Sequence, residues 1–197
     1  MSKTILGLKL PTDPRWVNLV EISIEEILND HAYCEMKAAQ TCISLIHKYA
    51  GRQRLVDELA AVAAEEWGHF RLVLAELKKR GMELGKNRID VYVNELLKLE
   101  RKGDRIERQL MDKLLIQAMI EARSCERFRL LSEGMKEATL RKFYRHFMIS
   151  EAGHYRLFVD LAKEYMPAKI VRERWKEIVV AEAEIIKGLR LSGERMH

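Results

Sequence analysis

Apolar residues recur every three or four positions along most of the chain, a spacing that predicts long amphipathic helices. The first helix is predicted to begin after Ser23, which forms with Glu26 the Ser-x-x-Glu pattern of a capping box. It is predicted to end at Gly51, a residue suited to a left-handed helix stop. A second helix is predicted from about Arg52 to Arg80, closed by Gly81. The short turn between them predicts an antiparallel hairpin.

The second half of the chain repeats this arrangement. A third helix is predicted from about Ile106 to Glu133, and Gly134 ends it. A fourth helix is predicted from about Ala138 to Tyr165, again after a short turn. Pro167 then opens a fifth helix that reaches about Leu189, since proline is favoured at the start of a helix.

The segment between the two hairpins has a different character. Residues 82–106 are polar and basic, with only a short helical pattern from Ile89 to Leu99, and we interpret them as a long crossover connection. Two helix hairpins joined by a long crossover predict an all-α, ferritin-like four-helix bundle with an extra C-terminal helix. We expect one domain over residues 1–197, with its core bundle at about 23–165 and the extra helix at about 168–190.

Composition narrows the function classes only slightly. The 197 residues include 10 glycines and 3 prolines, so long helices meet few interruptions, and the net charge of +5 is weak support for an anionic partner. Three cysteines with no Cys-x-x-Cys pair indicate neither a disulfide framework nor a zinc ribbon. Met1 to Lys9 lacks the pattern of a signal peptide, and no apolar run approaches a membrane span. We expect a cytoplasmic protein.

Two Glu-x-x-His motifs are the strongest chemical signal. Glu66 and His69, like Glu151 and His154, are three residues apart, so each pair shares one face of its helix. A single such pair arises by chance on Glu-rich helices and is usually a surface ion pair. Two copies, each in the second helix of a hairpin, favour a dinuclear carboxylate site.

Such a site also needs one glutamate from the first helix of each hairpin. In the first hairpin, Glu35 and Glu66 lie equally far from the predicted turn, so we expect them to face each other. In the second hairpin, Glu121 precedes Glu151 by 30 residues, close to the 31 residues between Glu35 and Glu66. Glu126 is the alternative, because it repeats the Cys-Glu pair of the first hairpin. Five residues rotate a helix by about 140°, so both cannot face one metal, and the spacing favours Glu121.

The predicted ligand set combines carboxylates with imidazoles: Glu35, Glu66, His69, Glu121, Glu151 and His154. This mixture suits iron or manganese better than structural zinc or magnesium. Four carboxylates also balance the charge of two divalent ions in a buried site. We assign the chemistry to the metal centre itself and to no separate side chain.

The residues around these ligands form four strings: DHAYCEMKAA at 30–39, EEWGHF at 65–70, IEARSCERF at 120–128 and SEAGHY at 150–155. Together they resemble the MiaE-type tRNA hydroxylases. The resemblance implies a non-haem di-iron monooxygenase that uses dioxygen to hydroxylate the isopentenyl group of 2-methylthio-N6-isopentenyladenosine in tRNA. By position, it also implies that the same six residues bind two iron ions.

The resemblance further implies partners. Electrons would come from an external reductase or ferredoxin-like donor, because the chain has no flavin or nicotinamide motif. Such an enzyme can work as a monomer or dimer, and the sequence leaves the oligomeric state open. Two basic clusters are candidates for contacts with RNA phosphates, although charge runs more often mark solvated faces. They are Lys98, Arg101, Lys102, Arg105 and Arg108 in the crossover, and Lys136, Arg141, Lys142 and Arg145 near the second turn.

Two other functions share these ligands. A ferritin-like iron-binding or ferroxidase protein needs no organic substrate but needs a hollow shell to store iron. A manganese catalase or peroxidase would turn over peroxide without any RNA.

Overall fold

The computed structural model describes residues 6–196, so the first five residues and the last residue of the predicted 1–197 domain lie outside it. Within this range the chain forms helices and no strand, which confirms the predicted all-α class. The helices are α1 (Trp16–Ile22), α2 (Ile24–Lys48), α3 (Gln53–Lys79), α4 (Val91–Leu97), α5 (Ile106–Gly134), α6 (Ala138–Tyr165) and α7 (Ala168–Gly188).

Helix α1 is the one element that the sequence pattern did not predict. Its seven residues make only two turns, too few for a helical period to stand out. Trp16 and Val20 are nevertheless fully buried, one turn apart on the same face. Burial of these two side chains therefore stabilises a helix that is too short to be stable alone.

Two of the predicted helix signals are wrong in detail. Ser23 does not form a capping box, because its hydroxyl donates a hydrogen bond to the carbonyl oxygen of Leu19 at 2.8 Å. Gly51 does not adopt the left-handed conformation. Helix α2 has already ended before it, where the N–H of Tyr49 donates to the carbonyl oxygen of Leu45 at 2.9 Å.

The stop predicted at Gly81 is confirmed. Gly81 has a φ of +70°, and its N–H donates to the carbonyl oxygen of Lys78 at 3.0 Å. The N–H of Met82 donates to the carbonyl oxygen of Leu77, also at 3.0 Å. This pair of bonds is a Schellman motif, which satisfies the last carbonyls of α3.

One compact unit consists of Leu19–Ile89 with Ser192–Met196 and contains the α2–α3 hairpin. Asp30 of α2 holds the C-terminal segment of this unit. Its carboxylate accepts a hydrogen bond from Nη1 of Arg195 and another from the N–H of Met196, each at 2.7 Å.

A second compact unit contains residues 6–18 and 90–191 of the described chain, with the α5–α6 hairpin and helices α4 and α7. Helix α5 is buried on nearly all sides. Phe128 of α5 packs against Tyr144 and Phe147 of α6, with ring centroids 5.7 and 5.5 Å apart. The chain divides into these two compact units, so the single domain over residues 1–197 stays a prediction.

In the described part of the chain, no helix is both long enough and apolar enough to cross a membrane.

A buried carboxylate fastens α5 to its neighbours in the second unit. Asp112 accepts hydrogen bonds from Nη2 of Arg101 at 2.8 Å and from Nε of Arg174 at 2.9 Å. Burial alone would raise the pKa of Asp112, but the hydrogen bonds from the two arginines outweigh it and hold the pKa below its ordinary value of 3.8. Asp112 therefore stabilises the folded state in its ionised form.

Asp112→Asn should remove an acid-sensitive part of the stability. A lowered pKa stabilises the fold above the ordinary value of 3.8, and the contribution disappears as pH falls through the folded-state pKa. We expect the gap in unfolding free energy between the natural chain and Asp112→Asn to be constant from about pH 7 to 5 and to narrow below pH 3.8. Urea unfolding across this range measures the gap, and a pH-independent gap would contradict the role of Asp112.

Two glycines should respond to alanine in opposite directions. Gly153 lies inside α6, and a Cβ at this position would meet nothing within 4 Å, whereas Gly81 has a positive φ. Gly153→Ala should raise the free energy of unfolding by roughly 0.5–1 kcal/mol, because alanine loses less backbone entropy in a helix. Gly81→Ala should lower it by about 1 kcal/mol. Urea unfolding of both variants tests the pair, and equal signs would contradict it.

Candidate metal centre

The α2–α3 hairpin brings together three of the predicted ligands. Nδ1 of His69 lies 3.2 Å from Oε2 of Glu66 and 3.5 Å from Oε2 of Glu35. All three side chains are buried. The expectation that Glu35 and Glu66 face each other across the hairpin is therefore confirmed. We call these three residues the first half-site.

A buried histidine outside the predicted set contacts this half-site. Nε2 of His31 lies 2.6 Å from Oε1 of Glu35, and His31 is fully buried. An ionised carboxylate only accepts hydrogen bonds, so this ring nitrogen donates to it. The bond holds Glu35 with its other oxygen towards His69. Sequence reasoning assigned His31 no role, although its spacing of four residues from Glu35 was the available signal.

The α5–α6 hairpin gathers the other three predicted ligands. Glu121, Glu151 and His154 are buried, and one ligand atom from each lies within 4.8 Å of the others. Nδ1 of His154 is 3.8 Å from Oε2 of Glu151. We call these residues the second half-site. It has the same composition as the first half-site: two carboxylates and one imidazole.

Glu126, the alternative to Glu121, points elsewhere. It forms an ion pair with Arg123, and it accepts a hydrogen bond from the hydroxyl of Thr12 at 2.7 Å. The charge of Glu126 is thus balanced within the protein. Hairpin spacing was the better guide to the geometry, and the repeated Cys-Glu pair was misleading.

Arg123 is the centre of a buried network that sequence reasoning missed. Its Nη2 donates to Oε1 of Glu182 in α7 at 2.7 Å and to the carbonyl oxygen of Leu10 at 3.0 Å. The hydroxyl of Tyr92 in α4 donates to the same Glu182 oxygen at 3.2 Å. The network joins α4, α5, α7 and the N-terminal segment, so it fixes the rotation of α5 and with it the direction of Glu121.

Burial changes the titration of this network. It raises the pKa of Glu182 even though Arg123 and Tyr92 oppose the shift. It also lowers the pKa of the neighbouring Arg127 to about 10, and the positive charge of Arg123 adds to that effect. Arg127 lies over the ring of Trp16, with its guanidinium carbon 4.8 Å from the ring centroid. The network therefore also anchors α1 through a cation–π contact.

The donor chemistry of the half-sites fits iron. Each combines two carboxylates with one imidazole, the mixed ligation found in di-iron and di-manganese carboxylate proteins. One divalent ion would balance the negative charge of two buried carboxylates. Burying the same charge without a cation would be costly in free energy.

Comparison with known proteins identifies relatives along the whole chain. The family model described as tRNA-(MS[2]IO[6]A)-hydroxylase (MiaE) matches residues 1–197. A protein of Pseudomonas putida named tRNA 2-(methylsulfanyl)-N(6)-isopentenyladenosine(37) hydroxylase is 36% identical, with 90% of this chain and 85% of the relative covered. A protein of the same name from Salmonella typhimurium is 28% identical, with 94% of this chain and 86% of the relative covered.

A solved structure shares the fold. It is described as protein 43 with aldehyde deformylating oxygenase activity from Synechococcus, and it superposes with a TM-score of 0.91 at 34% sequence identity. The comparison covers 98% of this chain and 96% of that protein. The predicted ferritin-like fold is thereby confirmed.

The different surroundings of Glu126 and Glu121 lead to a stability test. Glu126→Ala should lower the free energy of unfolding by about 3 kcal/mol, because it leaves a fully buried guanidinium with one partner fewer. Glu121→Ala, the matched control in the same helix, removes a carboxylate that lies beside another carboxylate. It should cost the metal-free protein less than about 1 kcal/mol. Chemical unfolding of metal-free samples measures both losses, and equal losses would contradict the assignment.

Proposed function

This chain belongs to the MiaE family of tRNA hydroxylases, and we propose that it is a non-haem di-iron monooxygenase that hydroxylates the isopentenyl group of 2-methylthio-N6-isopentenyladenosine in tRNA. The observation that supports the di-iron part is the pair of buried half-sites with equal composition. The names of both relatives support the substrate.

We propose that the six predicted ligands bind two iron ions: Glu35, Glu66 and His69 from the first half-site, and Glu121, Glu151 and His154 from the second. Four carboxylates would balance two ferrous ions. When bound, the iron supplies the electrons that activate dioxygen. The protein's part is to hold the ligands in fixed positions, as His31 does for Glu35, and to keep the ligands buried away from water.

The reaction requires an electron donor. Incorporation of one oxygen atom from dioxygen into a C–H bond releases the other as water and consumes two electrons and two protons. We propose an external reductase or ferredoxin-like protein as the source, because the sequence contains no flavin or nicotinamide motif. We also propose that the enzyme acts on tRNA in the cytoplasm, as a monomer or dimer.

The storage and peroxide alternatives receive no support from the relatives. Both named relatives are tRNA hydroxylases, and the solved structure is described by an oxygenase activity. An iron-storing or ferroxidase role without an organic substrate is therefore not favoured.

The proposed reaction predicts a mass change in tRNA. Iron-loaded protein, dioxygen and a chemical reductant should add one oxygen atom to the isopentenyl adenosine, detected by mass spectrometry of the digested nucleosides. Glu66→Ala should abolish this gain, by at least about 100-fold, because it removes a buried ligand. Glu58→Ala, in the same helix but outside the half-site, is the matched control and should retain activity.

Iron content separates the possible failures. If the protein holds about two iron ions per chain but adds no oxygen to any tRNA, the proposed metal centre is supported and the proposed tRNA substrate is refuted. Aldehydes would then be the next substrates to test. An oxygen gain that survives in Glu66→Ala would refute the ligand assignment instead.

A further inference from the structure

Helix α6 has two chemically different faces. Glu151 and His154 lie on its buried face, whereas the opposite face is exposed along about four turns. From Lys142 to Arg156, the exposed residues of this second face are Lys142, Arg145, His146, Ile149, Gly153 and Arg156. At about 100° of rotation per residue they fall within an arc of roughly 100°, and they extend over about 21 Å. We call them the α6 basic face.

The acidic residue that continues this face one turn beyond Arg156 is Asp160, and Lys163 balances its charge in an ion pair of 2.9 Å. Between positions 138 and 159 the only acidic residue is Glu151, which is buried on the other side of the helix. Lys142, Arg145 and Arg156 form no ion pair with any residue that the structure describes. Their positive charges are therefore available to an anionic partner.

The crossover cluster is different, because its own chain neutralises much of it. Lys98 pairs with Glu95, and Arg108 lies 3.5 Å from Asp104. Arg101 is held by the buried Asp112. These contacts account for three of the five cations that the sequence grouped there, so the crossover is the weaker candidate for phosphate contacts.

The cluster near the second turn divides into two parts. Arg141 donates through Nη1 to the carbonyl oxygens of Met135 and Lys136, at 2.7 and 2.8 Å, so it closes the turn. Lys142 and Arg145 instead continue into the α6 basic face.

Apolar and aromatic groups interrupt the cations on this face. The side chain of Ile149 is 63% exposed in the middle of the face. The exposed ring of His146 is held edge-on to Phe147, with centroids 5.5 Å apart. A methyl group added at Gly153 would meet nothing within 4 Å, so the helix backbone is open to close approach there. Cations that alternate with flat and apolar groups suit a single strand of RNA with unstacked bases. The cations can contact its phosphates, and the flat and apolar groups can contact its bases.

We propose that the α6 basic face is the surface on which the tRNA substrate docks, with Lys142, Arg145 and Arg156 contacting backbone phosphates. The inference rests on the proposed function and deepens it. Phosphate contacts of this kind fix the position of the RNA without reading its sequence. The helix that carries Glu151 and His154 inward then holds the substrate on its outer side.

The test compares two variants of equal charge. In the first, Lys142, Arg145 and Arg156 are all changed to glutamine. In the second, the same change is made at Lys169, Arg172 and Lys176, three exposed cations of α7 that have the acidic Glu173 among them. Both variants lose three positive charges from exposed helix positions. Chemical unfolding and iron content establish that both fold and load metal as the natural chain does.

Binding of an unmodified tRNA transcript is then measured over a series of salt concentrations. The α6 variant should bind at least about tenfold more weakly. Its plot of log affinity against log salt concentration should become shallower, with the magnitude of the slope smaller by roughly two to three. Its KM for tRNA should rise by a similar factor. The α7 variant should keep the affinity and the slope of the natural chain.

The outcomes separate docking from catalysis. Equal losses of tRNA affinity in both variants would contradict the proposal that tRNA docks on the α6 basic face. So would an α6 variant that binds tRNA like the natural chain. Both conclusions hold whether or not tRNA is hydroxylated. Binding lost only in the α6 variant supports the docking surface, even if the natural chain proves unable to hydroxylate any tRNA. That last result would refute the proposed function alone.

Discussion

The cost of burying a carboxylate is the constraint on which this structure depends. Each buried acid must be balanced, and the described chain does this in two ways. Some buried acids have an arginine partner inside the protein: Asp30, Asp112, Glu126 and Glu182. The half-site glutamates are instead grouped with each other and with an imidazole. The first group stabilises the fold, and the second leaves negative charge that the proposed metal ions would balance.

The two kinds of buried acid are interleaved on single helices. In α5, Glu121 belongs to a half-site, while Arg123 and Glu126 lock the helix against the N-terminal segment and α7. A change in this network would therefore rotate Glu121, a proposed ligand, as well as reduce stability. Such coupling means that activity loss alone does not identify a ligand on this helix, whereas metal content and unfolding free energy measured together do.

The sequence predicted much of the fold because helical periodicity is a local property. It located every described helix except α1, whose seven residues are too few to show a period. Equal distance from the turn selected Glu35 and favoured Glu121. In an antiparallel helix hairpin, two residues that are equally far from the turn lie at the same level along the helix axes. The network around Arg123 was not predictable, since Thr12 and Glu182 lie more than 50 residues from it along the chain. Likewise, charge composition could not show that Lys98 has an acidic partner whereas Lys142 has none among the described residues.

The fastening of the chain's last residues to Asp30 has a consequence for ligand geometry. Asp30 immediately precedes His31, which in turn holds Glu35. Residues 192–196 thus help to position Glu35, a proposed metal ligand, through Asp30 and His31. Removal of the contacts that Arg195 and Met196 make with Asp30 would therefore be transmitted to Glu35 through two neighbouring side chains. In this family, we therefore expect substitutions in the segment equivalent to residues 192–196 to be correlated with substitutions in α2.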